Sequence, residues 1–273
     1  VVPFSGSVNV GSGDPEGLTV ADAGIREADG DFAGFFGLGS YPPPHGDPLV
    51  LARRGGRGGP PPWNGCVEAR SYPGDVQDTD MATGGSWTKL TDGSASANCP
   101  VEIQSLTNVR ATIESKITAL SANGWTHINF GAAWGWRVLS PTAPYTQGRA
   151  YNDPDFQKAI VIMTDGENTM PNSWDSSNYT AYGDLSDGGL GSTNQSTAET
   201  ALDTRLGEVC DAMKALDVIV YTITFEVSDS DTQTLMRNCA TDNSKYYNSP
   251  NAAQLQSAFT TIATELSNLR ISN

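Results

Sequence analysis

Two uninterrupted apolar runs constrain this chain most: Ala159-Ile160-Val161-Ile162-Met163 and Val218-Ile219-Val220-Tyr221-Thr222-Ile223-Thr224-Phe225. A strand with one wet face alternates apolar and polar residues at period two. A continuous aliphatic run instead describes a strand covered on both faces, the condition of a parallel sheet. Helical periods surround the two runs. Leu202, Leu206, Val209, Met213 and Leu216 mark the buried stripe of a helix over 198–215, and Leu255, Phe259, Ile262 and Leu266 that of a helix over 252–269. Short elements are expected between them, a helix near 232–239 and a strand near 245–248. The alternation defines an α/β fold with a mainly parallel, doubly wound, Rossmann-like sheet.

Upstream, Ile113, Ile117 and Leu120 share a helical stripe that Thr107 can cap and Asn123-Gly124 ends. A second helix is expected over 129–138, where Trp134-Gly135-Trp136 reads as core packing rather than a binding platform. Residues 1–10 read as a short extended segment. Between about 11 and 100 the texture is irregular, with Tyr41-Pro42-Pro43-Pro44, Arg53-Arg54-Gly55-Gly56-Arg57-Gly58-Gly59 and Pro60-Pro61-Pro62 breaking both periods. A polar insertion covers 167–196. The expectation is one domain over 1–273 with two long insertions.

The formal charge of −15, from 16 Lys and Arg against 31 Asp and Glu, excludes a nucleic-acid footprint and disfavours anionic lipid. It fits either a well-solvated surface or one that gathers divalent cations. Cys66, Cys99, Cys210 and Cys239 include no CxxC pair, and with only His45 and His127 a Cys/His metal site lacks material. Sequential pairing, Cys66–Cys99 and Cys210–Cys239, is the natural one of three connectivities and implies an extracytoplasmic location. No run approaches the roughly 18–20 apolar residues of a membrane span. A start at Val1 without a signal peptide suggests a piece processed or trimmed from something longer.

Ligands of an open parallel sheet gather beyond the carboxyl ends of its strands. Two loops are expected there: Thr164-Asp165-Gly166-Glu167-Asn168 and Gly124-Trp125-Thr126-His127-Ile128-Asn129. Thr126 and Asp165 offer hard oxygens suited to Mg²⁺, Ca²⁺ or Mn²⁺. The same residues also suit a simple Asp-Gly turn and a cap, and His127 suits a structural or surface position. Asp153 with Asp155, and Asp229 with Asp231, lack the remaining ligands of a calcium loop and read as solvated carboxylates. No Gly-x-Ser-x-Gly, His-Glu-x-x-His or P-loop is present, so an enzyme is not expected.

Several stretches carry a family resemblance. They are Val2-Pro3-Phe4-Ser5-Gly6-Ser7-Val8-Asn9-Val10, Trp63-Asn64-Gly65-Cys66-Val67-Glu68-Ala69-Arg70 and Asn98-Cys99-Pro100. More specific are Phe130-Gly131-Ala132-Ala133-Trp134-Gly135-Trp136-Arg137-Val138-Leu139-Ser140-Pro141 and Ile162-Met163-Thr164-Asp165-Gly166-Glu167-Asn168-Thr169. With Tyr221-Thr222-Ile223-Thr224-Phe225 and Leu269-Arg270-Ile271-Ser272, the chain resembles the TadG-like proteins of bacterial tight-adherence (Flp) pilus assembly. Their C-terminal region is a von Willebrand factor A (vWA) domain.

The resemblance implies a metal-ion-dependent adhesion site (MIDAS) built from three loops, with Thr126 in the second and Asp165 in the third. The first loop, Asp-x-Ser-x-Ser, is absent. Phe4-Ser5-Gly6-Ser7 has no aspartate and corresponds to the strand after the family's first helix. In that fold the strand before the first loop lies between residues 1–4 and 159–163. An upstream segment, a clipped fragment or a neighbouring chain is therefore expected to complete the sheet. The implied function is non-enzymatic: pilus assembly, adhesion or protein binding, with a cation presented to a partner's acidic side chain and held weakly by this chain alone. The alternatives are a structural or filament-forming subunit with a vestigial metal site and, more remotely, a metal-dependent hydrolase.

Overall fold

The computed structural model describes residues 1–11, 63–79, 87–90, 98–172 and 179–269. The two aliphatic runs lie side by side. Strand β3 (Ala159–Thr164) pairs in parallel with β4 (Ile219–Phe225), Ala159 opposite Ile219 and Thr164 opposite Thr224. Strand β5 (Tyr246–Ser249) extends the sheet in parallel on the far side of β4, giving the order β3-β4-β5.

Both faces of this sheet are covered, which is why the runs do not alternate. One face, through Ile160, Ile162 and Val220, packs on α2 (Ile128–Leu139), α3 (Gln195–Ala215) and α4 (Ser230–Cys239). The other, through Val161, Met163, Tyr221 and Ile223, packs on α5 (Ala252–Leu269), whose Ala258 and Ile262 are buried. The observed fold is thus α/β, with a parallel sheet between helical layers. Helix α3 starts where Asn194 accepts a hydrogen bond from the Thr197 N–H and α4 where Asp229 accepts one from Thr232, both N-caps. Asp229 is therefore a capping carboxylate, and that bond to Thr232 holds its carboxyl below the usual range.

A second, smaller layer flanks α2. Strand β1 (Val8–Asn9) pairs antiparallel with β2 (Cys66–Val67). Val8, Trp87, Phe130, Trp134 and Tyr145 form a core between this pair and the helix. The described part of the 11–100 insertion is therefore packed structure. It holds β2, a short 3-10 helix at Gly74–Val76 and a buried ion pair, Asp75 to Arg205 of α3 at 2.8 Å. Residues 12–62, 80–86 and 91–97 lie outside the described residues, as do 173–178 and 270–273. The rest of the 167–196 insertion is not wholly polar either: Met170, Tyr182, Leu185 and Leu190 pack on Ala198 and Leu202. Both sequential disulfides are present, Cys66–Cys99 beside the small layer and Cys210–Cys239 between α3 and α4.

Several expectations of detail need correction. Helix α1 spans Arg110–Thr118, so it ends well before Gly124, and Thr107 does not cap it. Among the described residues nothing buries its expected apolar stripe: Ile113 is half-buried, Ile117 is 51% exposed, and Leu120, past the helix end, is 46% exposed. In α5 the inward residue is Ala258 and Phe259 faces solvent. Leu216 lies just past the end of α3 and is partly exposed, because the chain turns there into Asp217 at positive φ. Among the described residues β3 is bonded along one edge only, to β4. Residues 1–4 approach the sheet through α2, whose Gly131 touches Phe4 and whose Gly135 touches Ile160.

Candidate functional site

The two loops expected at the carboxyl end of β3 meet, and hydrogen bonds donated by backbone N–H groups join them. The Thr126 N–H donates to the Thr169 hydroxyl at 2.9 Å, and the Thr169 N–H donates back to the Thr126 carbonyl at 2.9 Å. Two residues on, the Ile128 N–H donates to Asn168 Oδ1 at 2.8 Å. The N-terminal segment joins the same assembly, since the His127 N–H donates to the Ser5 carbonyl.

Thr164 shapes the turn that presents Asp165. The buried Thr164 hydroxyl donates to the Gly166 carbonyl at 2.8 Å, which bends the chain as soon as the strand ends. Asp165 is exposed at that bend and Thr126 is half-buried. His127 is wholly buried against Tyr182, with ring centroids 5.5 Å apart, and burial above all pushes its pKa down to about 3. A backbone contact at Thr169 opposes that shift and the nearby Arg205 charge adds to it. It is a neutral core histidine, not a ligand.

Helix α3 closes the site from a third side. Asn168 Nδ2 donates to Asp203 Oδ1 at 2.8 Å, and the Met170 N–H donates to Glu199 Oε1 at 3.1 Å. Burial raises the Asp203 carboxyl pKa. The Asn168 bond works against this, while Glu199, Asp229 and Glu167 add to it. These carboxylates feel one another, so the edge is electrostatically negative. Asn168, Thr169 and Asp203 had no role from sequence. Asn168 and Thr169 close the polar run behind Asp165, and Asp203 sits beside Leu202 of the buried stripe, which was the available signal.

Tested as a cation site, the pair is incomplete. Mg²⁺ or Ca²⁺ takes six or more oxygens. Thr126 and Asp165 bring one hydroxyl and one carboxylate, and among the described residues no group of three or more His, Cys, Asp or Glu side chains has the arrangement to hold a metal. Ser5 and Ser7 add nothing: both are buried, Ser5 bonded to the Asn98 carbonyl and Ser7 to Cys66 Sγ. Among the described residues the edge does not by itself make a cation site. Among the described residues no helix is long and apolar enough to cross a membrane.

No family model and no curated protein matches the chain. Among solved structures, proximal thread matrix protein 1 from the mussel byssus, described with a zinc-occupied MIDAS motif, aligns over 56% of this chain and 28% of its own. Identity is 13% and the TM-score 0.32. The pilus adhesin SpaC from Lactobacillus rhamnosus GG aligns over 57% of this chain and 21% of its own, at 16% identity and a TM-score of 0.37. The chain thus spans under a third of the length of either. Both are partial likenesses.

Proposed function

We propose that the chain is a non-enzymatic, extracytoplasmic binding module of vWA type that serves a tight-adherence pilus in assembly or attachment. The observation that carries the reading is the bonded union of the Thr126 and Asp165 loops at the carboxyl end of a doubly covered parallel strand. Loops in a fold tend to be mobile; here two are joined and aimed where such sheets bind ligands. The two disulfides support an oxidising compartment.

In this reading Thr126 and Asp165 would supply part of the oxygen shell of a divalent cation (Mg²⁺, Ca²⁺ or Mn²⁺), which would offer an acidic partner a positive charge to bind. The charge at the edge supports a bridging cation, because Asp165, Glu167 and Asp203 would otherwise repel an acidic partner. The remaining oxygens would come with a segment that pairs along the edge of β3 left unpaired among the described residues, from the same precursor or a neighbouring chain. Each backbone group of that edge buried without a partner would cost about 1–3 kcal/mol, so the edge favours a pairing segment. The filament-subunit alternative draws on the uncovered stripe of α1, a contact surface that needs no metal.

The test is Mn²⁺ and Mg²⁺ titration by calorimetry on wild type, Asp165→Ala and Thr126→Ala. Weak binding in wild type, lost in both variants, is expected. Tight Mg²⁺ binding that survives Asp165→Ala would overturn the reading, and metal-independent assembly into filaments would favour the alternative.

A further inference from the structure

Helix α2 lacks a cap of its own. The residue before it, His127, makes no side-chain bond to the helix's free N–H groups. The first of them, the Ile128 N–H, is taken by Asn168 Oδ1 from a loop forty residues away, at 2.8 Å. The other end of the same amide, Nδ2, donates to Asp203 Oδ1 on α3, also at 2.8 Å. Asn168 is only 5% exposed. An amide is the one short side chain with an acceptor and a donor at this separation. Aspartate would keep the bond to Ile128 and set two carboxylates face to face, and alanine would lose both bonds.

The position matters as much as the bonds. Asp165 lies three residues before Asn168, and Thr126 two residues before the helix that Asn168 caps. Thr169, next in sequence, exchanges its own two bonds with Thr126. One buried amide therefore stands between the two candidate ligand loops and ties both to α3. We infer that Asn168 is the positioning residue of this edge: it caps α2 from outside, sets the Thr126 loop against the Asp165 loop, and anchors the pair to α3. Its consequence for cation binding rests on the proposed function. Its consequence for loop mobility does not.

The experiment combines residue-level amide exchange with Mn²⁺ titration on wild type, Asn168→Ala and Asp203→Asn. Thr241→Val is the control, since it removes the hydroxyl bonded to the Val220 N–H on β4. In Asn168→Ala the Ile128 and Thr169 amides exchange about tenfold faster relative to the Ile223 amide of β4, the increment expected of one lost hydrogen bond. Asp203→Asn leaves Ile128 protected, because Asn168 Oδ1 stays in place. Asn168→Ala weakens Mn²⁺ binding about tenfold and Thr241→Val leaves it unchanged. Uniform acceleration at Ile128 and Ile223, or wild-type Mn²⁺ affinity in Asn168→Ala, overturns the inference. Absence of Mn²⁺ binding in wild type counts against the cation reading, and the exchange result then decides the role of Asn168 by itself.

Discussion

Single residues decide how closely α2 approaches its neighbours. Gly131 and Gly135 look like liabilities in a helix, each costing about 0.5–1 kcal/mol against alanine. Their reason is visible only in three dimensions. A Cβ on Gly131 would lie 2.4 Å from Phe4 Cγ and 2.9 Å from its Cβ, the root of a half-buried ring. One on Gly135 would come too close only to the terminal Cδ1 of Ile160, at 2.7 Å, with its Cγ1 at an ordinary 3.7 Å. The free end of an isoleucine can rotate away, whereas the root of Phe4 moves only with its backbone. Gly131→Ala is therefore expected to destabilise by about 1–3 kcal/mol despite its helix gain. Gly135→Ala stays within about 1 kcal/mol of wild type, because strain and helix gain oppose each other. Urea unfolding of the two variants checks the order. The sequence displayed Asp165 and Thr126 for a similar reason in reverse: a polar residue at a strand end is visible in one dimension, whereas the amide of Asn168 acquires its role from partners at 128 and 203.

At the level of elements, period and run length placed β3, β4, α2, α3, α4, β5 and α5 within a few residues, because each packs at least one side against a core that imposes its pattern. What covers a face is less legible. The stripe of α1 has the same spacing as that of α3, yet Ile117 is 51% exposed and Leu206 fully buried. A 3.6-residue period reports that a face exists and says nothing of its neighbour. The consequence is measurable. Leu206→Ala is expected to cost about 2–5 kcal/mol, as a cavity in the main core. Ile117→Glu changes stability by no more than about 0.5 kcal/mol, as a surface substitution. A loss from Ile117→Glu comparable to that from Leu206→Ala would mean that the stripe is covered in the native protein.

Across the whole molecule the acidic balance was legible from composition, and the burial of a neutral histidine was not. His127 is neutral in the fold, with its pKa lowered to about 3, and ordinary near 6.5 when unfolded. Above pH 6.5 both states are neutral and nothing is lost. Between 6.5 and 3 the unfolded chain binds a proton that the folded chain does not, so stability falls with pH by up to about 1.4 kcal/mol per unit. Other groups run the opposite way. Burial raises the carboxyls of Glu68, Asp78 and Asp203, so the folded state takes up their protons first and gains stability as pH falls. Relief of repulsion in a chain of formal charge −15 adds to that gain as its carboxylates protonate, chiefly below about pH 5. A wild-type curve therefore mixes both signs, and a difference between curves separates them. His127→Gln removes the titrating group while keeping a neutral polar side chain of similar reach. Its urea-unfolding stability between pH 7 and 5 is expected to fall less steeply than wild type, by approximately one proton. Parallel curves would show that His127 is accessible to protons in the folded state, which its burial against Tyr182 and beside Arg205 opposes.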